Sequence, residues 1–144
     1  MSSIQLQTLL YGFVGIGSVS AALIAVFNYR QKRTEWFFKL YEKYYELDSF
    51  REIEQILFYQ LPEKLEELQA AIETKNNRDL LHNLDRYLNF FELVGSLRRL
   101  GRISPRAIKM LFAYNLQSIK RQRFLQDYIN KYGYENLAHL LKRV

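Results

Sequence analysis

The chain has no cysteine and little proline or glycine. Its 144 residues include two Pro and six Gly, and three of the glycines (Gly12, Gly15 and Gly17) lie in one apolar stretch near the N-terminus. The lack of cysteine excludes disulfides, cysteine–zinc sites and thiol chemistry. The shortage of helix breakers, with abundant Leu, Glu, Lys, Gln and Arg, predicts an all-α protein.

Charge is absent from one region and of a single sign in another. Residues 1–29 carry no charged side chain, residues 42–92 hold twelve acids and six bases, and residues 93–126 hold eight bases and no acid. Such a block attracts anionic partners, unless it faces the acidic half of its own fold. The predicted anionic-partner residues are Arg98, Arg99, Arg102, Arg106, Lys109, Lys120, Arg121 and Arg123.

An uncharged run of nineteen residues, Leu9–Phe27 (LLYGFVGIGSVSAALIAVF), predicts a transmembrane helix. As a helix it would span about 30 Å, the thickness of a bilayer's hydrocarbon core. No base precedes the run, whereas Arg30, Lys32 and Arg33 follow it, which is the reverse of a signal peptide. By the positive-inside rule these bases set the topology, with the N-terminus outside. We therefore expect a single-pass protein of the plasma membrane, with residues 1–33 as anchor and residues 34–144 as a cytoplasmic domain.

Small residues recur along the predicted anchor. Gly17, Ala21 and Ala25 follow one another at four-residue spacing, and Ser18 and Ala22 flank them. Such a face lets two helix backbones approach closely in lipid. It predicts helix association, either in a homo-oligomer or with a partner membrane protein. The alternative is that Gly and Ala are simply common in membrane helices.

The cytoplasmic part is predicted to be a bundle of about five helices. Ser49 and Glu52 form a capping-box pattern, Pro62 suits a first helical position, Ser104 suits an N-cap, and Gly101 suits a helix end. The predicted helices cover 49–61, 62–74, 78–100, 105–132 and 135–143, after a continuation of the anchor through 30–47. Gly133 ends the predicted helix 105–132.

An aromatic face on the 30–47 stretch has two interpretations. Its apolar residues recur at three- and four-residue steps, which favours a face buried in the domain core. The alternative is that the face lies in the membrane interface, where aromatic rings are common. The residues are Trp36, Phe37, Leu40, Tyr41, Tyr44 and Leu47.

Two stretches carry a resemblance to a known group of proteins. YLNFFELVGSLRRLGRIS (Tyr87–Ser104) and MLFAYNLQSI (Met110–Ile119) resemble a family of uncharacterised bacterial proteins. Its members have one N-terminal transmembrane helix and a cytoplasmic helical domain of unknown function. The resemblance implies the same architecture, and it implies no activity or cofactor.

Few residues could carry chemistry. Asp79, His82 and Asp85 occur at three-residue steps, but metal sites of helical proteins usually draw ligands from several helices, so a solvated helix start is favoured. Glu135 and His139 have half of a zinc spacing with no second histidine. We therefore predict no metal and no cofactor.

Glu92 lies in an aromatic stretch, where a carboxylate is costly to bury unless it is paired. Asn89, Arg98 and Arg99 are candidate partners, and a structural role is favoured because no second tuned group accompanies Glu92. No catalytic set can be completed, so the chain is not predicted to be an enzyme.

Three functions follow from these patterns. The first is a membrane-anchored helical interaction module, self-assembling or acting as an accessory subunit of a larger membrane complex. The second is a membrane-tethered binder of an anionic ligand, either a lipid headgroup or nucleic acid, through residues 98–123. Nucleic acid ranks below lipid because no recognised motif is present. The third is an oligomeric pore, which Ser18, Ser20 and glycine backbone would line.

Overall fold

The computed structural model describes residues 24–29, 31–32, 35–59 and 61–143, and in these residues it contains helices and turns but no strand. The predicted all-α class is therefore confirmed for this part of the chain. The chain divides into two compact units, Met1–Phe38 and Lys39–Val144. Residues 24–29 and 31–32 are helical. The helices that follow are α1 (35–46), α2 (Asp48–Tyr59), α3 (Pro62–Thr74), α4 (Arg78–Arg99), α5 (Pro105–Arg121), α6 (Arg123–Tyr132) and α7 (Glu135–Leu141).

No helix within the described ranges is both long enough and apolar enough to cross a membrane. Most of the predicted anchor lies outside those ranges, since only 24–27 of its nineteen residues are described, as helix. Gly17, Ser18, Ala21 and Ala22 of the predicted association face also lie outside. Ala25, the remaining member, is helical and exposed.

Local signals set most helix ends where the sequence predicts them. The Ser104 hydroxyl accepts a hydrogen bond from the Ala107 amide at 3.1 Å, which caps α5. Pro62 opens α3. Gly101 (φ +69°) and Gly133 (φ +77°) adopt the left-handed conformation that follows a helix and that glycine accepts without steric cost.

Two predictions about helix boundaries are wrong. The helix expected over 105–132 is interrupted at Gln122, whose extended backbone (φ −91°, ψ 108°) separates α5 from α6. As a result the bundle has one helix more than the five expected after residue 48. Ser49 does not cap α2, because α2 already begins at Asp48 and the Ser49 hydroxyl is buried without a hydrogen-bond partner.

Helix α4 is the centre of the Lys39–Val144 unit and contacts α2, α3 and α7. Its buried face carries Leu84, Leu88 and Phe91, which recur at three- and four-residue steps, whereas Leu93 and Leu100 are exposed. Six aromatic rings from four helices pack together in the core, mostly edge to face, an arrangement that stabilises aromatic pairs. The rings are Tyr44, Phe50, Tyr87, Phe90, Phe91 and Phe112.

The predicted aromatic face of 36–47 is only partly buried. Leu40 and Tyr44 lie in the core. Tyr41 is 37% exposed and Trp36 is 55% exposed, so these two do not belong to the core face. Tyr45 is exposed as well and packs its ring against Tyr41.

A polar network lies inside the aromatic cluster. Tyr44 donates its hydroxyl hydrogen to Glu54 Oε1. The Asn115 amide donates to Tyr44 Oη at 2.5 Å, to Glu54 Oε1 at 2.7 Å and to Tyr87 Oη at 3.3 Å. Burial raises the pKa of the Tyr44 and Tyr87 phenols above the usual value. The network therefore joins α1, α2, α4 and α5 through groups that stay neutral, apart from one carboxylate.

A second group of tyrosines surrounds Asp85 of α4. The hydroxyls of Tyr128 and Tyr134 donate to Asp85 Oδ1 at 2.7 and 3.1 Å. Burial, followed by the nearby carboxylate, raises the pKa of both phenols above the usual value. Asp85 therefore links α4 to the C-terminal end of the fold.

Candidate anion-binding cleft

The last turns of α4 lie directly against the start of α7. A Cβ atom on Gly95 would come within 2.6 Å of the backbone oxygen of Asn136, so only glycine allows this approach. One turn earlier, Glu92 accepts hydrogen bonds from the Asn136 amide (3.1 Å to Oε1) and the Leu137 amide (2.7 Å to Oε2). The Asn136 side chain adds a third, at 2.7 Å to Oε1. These contacts fix α7 on α4.

Glu92 is thus a paired structural carboxylate, as predicted, but its partners are not those expected. They are Asn136 and Leu137 of α7, rather than Asn89, Arg98 or Arg99. Carboxylates near a helix N-terminus satisfy amide groups that have no partner within the helix. Glu92 therefore accepts hydrogen bonds from neutral donors and makes no ion pair with the neighbouring arginines in the described residues.

A cleft of about 600 Å³ opens beside this contact. We call it the α4–α7 cleft. Its basic side chains are Arg98 and Arg99 at the end of α4 and His139 and Arg143 at the end of α7. Arg98 is half-buried, and the other three are exposed. The complete lining is Gly95, Arg98, Arg99, Asn136, His139, Leu140 and Arg143.

No carboxylate lines the cleft. The Arg99 guanidinium makes one weak hydrogen bond, from Nη1 to Asn136 Oδ1 at 3.4 Å. The same Asn136 side chain donates to Glu92 through its amide nitrogen, so it lies between the Arg99 guanidinium and the Glu92 carboxylate. The lining of the cleft therefore holds three guanidinium groups and no carboxylate.

Seven of the eight bases in the predicted block make no ion pair in the described ranges. The two ion pairs present there, Arg51–Asp48 at 3.9 Å and Lys64–Glu67 at 2.8 Å, each lie within one helix of the acidic region. The block members to which this applies are Arg98, Arg99, Arg102, Arg106, Lys109, Arg121 and Arg123. The alternative that the block is neutralised by acids of its own fold is thus not supported.

The helix ends alone would favour some basic residues here. Helices α4 and α7 both present their C-terminal ends, which carry a partial negative charge and favour cations in the last turn. The same partial charge disfavours an anion. An anion in the cleft must therefore be held by the side chains, and the cleft offers three arginines for this, two in the last turn of α4 and one in the turn after α7.

The structure brings together only two of the eight predicted anionic-partner residues, Arg98 and Arg99. The others follow the chain away from the cleft and do not line it. Arg102 is exposed in the turn after α4, Arg106 and Lys109 are exposed at the start of α5, Lys120 and Arg121 end α5, and Arg123 begins α6.

A second cleft shows what a different lining does. It has about 590 Å³ and lies between α3 and α4, and its charged lining residues are Glu67, Asp79 and Arg78. Its two carboxylates outnumber the one guanidinium, so an anion would be repelled. Of these two clefts, the α4–α7 cleft is the one whose lining carries positive charge without a carboxylate.

The other sequence candidates do not form a site. Asp79 and His82 are exposed, whereas Asp85 accepts hydrogen bonds from two tyrosines. Within the described part of the chain, no three His, Asp or Glu side chains group as metal ligands. Lys32 is helical and exposed, whereas its companions in setting topology, Arg30 and Arg33, lie outside that part.

Comparison with known proteins gives no match, whether to a family model, a curated sequence or a solved structure. The resemblance of Tyr87–Ser104 and Met110–Ile119 to a bacterial membrane-protein family therefore stays a hypothesis.

Sequence reasoning missed three residues of the cleft, Asn136, His139 and Arg143. The sequence indicates only that His139 and Arg143, four residues apart, share one face of the last predicted helix. Nothing in the sequence says that this face meets the end of α4. That contact depends on Gly95 and Glu92, some 40 residues earlier in the chain.

Proposed function

We propose that the protein is a membrane-anchored helical interaction module that binds an anionic partner through the basic surface of its Lys39–Val144 unit. The observation that carries the proposal is that seven of the eight bases in the block make no ion pair in the described residues. These seven bases repel one another, which weakens the fold slightly. A partner that supplies negative charge would remove this repulsion.

The sequence supports the anchor. Residues 1–29 have no charged side chain, and the first bases follow the apolar run at once. An anchor would hold the basic surface close to the cytoplasmic leaflet, whose anionic lipids attract each nearby Lys or Arg with about 1 kcal/mol. The partners that this surface encounters most often would therefore be molecules at the membrane, including a second copy of this chain.

A photo-crosslinking experiment tests this proposal. The full chain, in its membrane, carries a photoreactive residue at Met110, which is 73% exposed on α5 next to Lys109. A matched control carries the same residue at Glu66, which is exposed on the acidic helix α3. We expect an adduct from position 110 that weakens in high salt, because exposed charges are screened. Arg106→Gln with Lys109→Gln should weaken it further.

The mass of the adduct distinguishes self-assembly from an accessory role. An adduct of two copies of the chain supports self-assembly, and a heterologous adduct supports a subunit of a larger complex. Monomers alone from position 110, or equal adducts from positions 66 and 110 that salt leaves unchanged, would contradict the proposal.

A further inference from the structure

We propose that the α4–α7 cleft is a binding site for a phosphate group, held by the guanidinium groups of Arg98, Arg99 and Arg143. The inference rests on the proposed function in one respect, namely that the partner is anionic. It adds the position of the site, which includes His139 and Arg143 outside the basic block, and the chemical class of the ligand.

The number of donors favours phosphate over a carboxylate. One guanidinium fork can satisfy both oxygens of a carboxylate, whereas the cleft offers three forks and the imidazole of His139. A phosphate monoester carries close to two negative charges and three acceptor oxygens, so it can engage several forks at once. The cleft therefore matches phosphate better in both charge and acceptor count.

The size and lining of the cleft indicate that the phosphate carries an organic group. About 600 Å³ is more than a bare ion needs and lies within the usual range for small-molecule sites. Leu140 and the Cα of Gly95 give part of the wall an apolar character. The charged groups would hold the phosphate while this wall contacts the substituent.

The helix backbones on both sides of the cleft are held together without a ligand. The Gly95 backbone packs against the Asn136 backbone, and Glu92 joins the first turn of α7 to α4. Asn136 Oδ1 already accepts from Arg99. A preorganised site of this kind loses less entropy on binding than one that must assemble.

The first experiment is calorimetric titration of inorganic phosphate into the full-length protein in an uncharged detergent, with chloride holding the ionic strength constant. Arg98→Gln with Arg143→Gln removes two charges from the cleft. Arg106→Gln with Arg123→Gln removes two exposed charges outside it and serves as the control. We expect saturable binding, weakened by about tenfold or more in the cleft pair and by less than about twofold in the control pair.

Nanodiscs distinguish the two sources of phosphate. The full chain is placed in discs of phosphatidylcholine containing either phosphatidic acid or the same amount of oleate, which adds negative charge without phosphate. Weaker binding of inorganic phosphate only in phosphatidic acid discs identifies a lipid headgroup as the ligand. Equal binding in the two discs identifies a soluble phosphate ester.

Two results would overturn the inference: no saturable phosphate binding, or an equal loss of affinity in the cleft pair and the control pair. Either result can occur while the Met110 adduct stays sensitive to salt, in which case the proposed function survives and the cleft assignment fails. If phosphate binds to the cleft but position 110 gives no adduct, the cleft assignment survives and the proposed function fails.

Discussion

The carboxylates inside the fold and the arginines on its surface are treated in different ways. Glu54, Asp85 and Glu92 are half-buried, and each accepts at least two hydrogen bonds from tyrosine, asparagine or backbone amides. None of the three is within ion-pair distance of a Lys or Arg in the described residues. The arginines of the α4–α7 cleft make no ion pair with an acid in the described residues.

This difference separates groups that hold the fold together from groups that it leaves for a partner. Neutral donors suffice for the interior acids, so no cation is needed there. Arg98, Arg99 and Arg143 line one solvent-accessible cleft, where their like charges repel one another and no ion pair offsets the repulsion in the described residues. If this interpretation holds, removing an interior carboxylate or its donors should cost stability, and removing a cleft arginine should cost binding.

The largest expected effect is the loss of Glu92. Glu92→Ala leaves the amides of Asn136 and Leu137 without an acceptor where α7 meets α4. We expect the free energy of unfolding to fall by about 3 kcal/mol, since each unsatisfied buried donor costs about 1–3 kcal/mol. Chemical denaturation of the full chain in uncharged detergent measures this. Glu66→Ala, on an exposed position, should change it by less than about 0.5 kcal/mol. A similar small change for both variants would show that Glu92 does not hold α7.

Loss of Asn115 should cost somewhat less. Asn115→Ala removes three donated hydrogen bonds within the aromatic core and leaves Glu54 with Tyr44 as its donor. We expect a loss of about 2 kcal/mol by the same denaturation measurement, because a buried polar group loses its partner and a small cavity forms. Asn130→Ala, which is exposed on α6, is the matched control. Equal stability of the two variants would contradict the role assigned to the network.

The buried tyrosines predict a loss of stability in alkaline solution. The pKa values of Tyr44 and Tyr87 are raised in the fold, so these phenols stay protonated when those of the unfolded chain ionise above about pH 10. Their contribution is complete below about pH 10 and is lost as pH rises towards the folded pKa, by up to about 1.4 kcal/mol per phenol per pH unit. Unfolding measured from pH 9 to 11 tests this. Tyr87→Phe should show a shallower decline, and an unchanged slope would contradict the assignment.

The smallest expected effect on stability is that of the cleft arginines. Arg98→Gln with Arg143→Gln, measured without phosphate, should change the free energy of unfolding by less than about 0.5 kcal/mol, because neither residue has an ion pair to lose in the described ranges. A loss of about 2 kcal/mol or more would place these arginines among the structural groups and would remove the contrast between interior and surface.

The sequence predicts those parts of the fold that depend on neighbouring residues. Ser104 and Pro62 begin helices, Gly101 and Gly133 follow helix ends, and the spacing of Leu84, Leu88 and Phe91 marks the buried face of α4. Each of these signals acts over a turn or two, so it can be recognised without knowing which other helix is nearby.

Features that depend on distant contacts were not predictable in this way. The break at Gln122 has no proline or glycine to mark it. Ser49 matches a capping box by its spacing, yet its hydroxyl is buried inside a helix that starts one residue earlier. The cleft joins residues 95–99 to residues 136–143, and periodicity along the chain carries no information about such a pairing.

The central claim is that the α4–α7 cleft binds an anion that the fold itself does not need. Thermal unfolding of the full-length protein in increasing inorganic phosphate, with chloride holding the ionic strength constant, tests it most directly, since a ligand of the folded state raises Tm with its concentration. The account predicts a rise in Tm for the wild-type chain and for Arg106→Gln with Arg123→Gln, and none for Arg98→Gln with Arg143→Gln. The same rise in all three proteins, or no rise in the wild type, would contradict it.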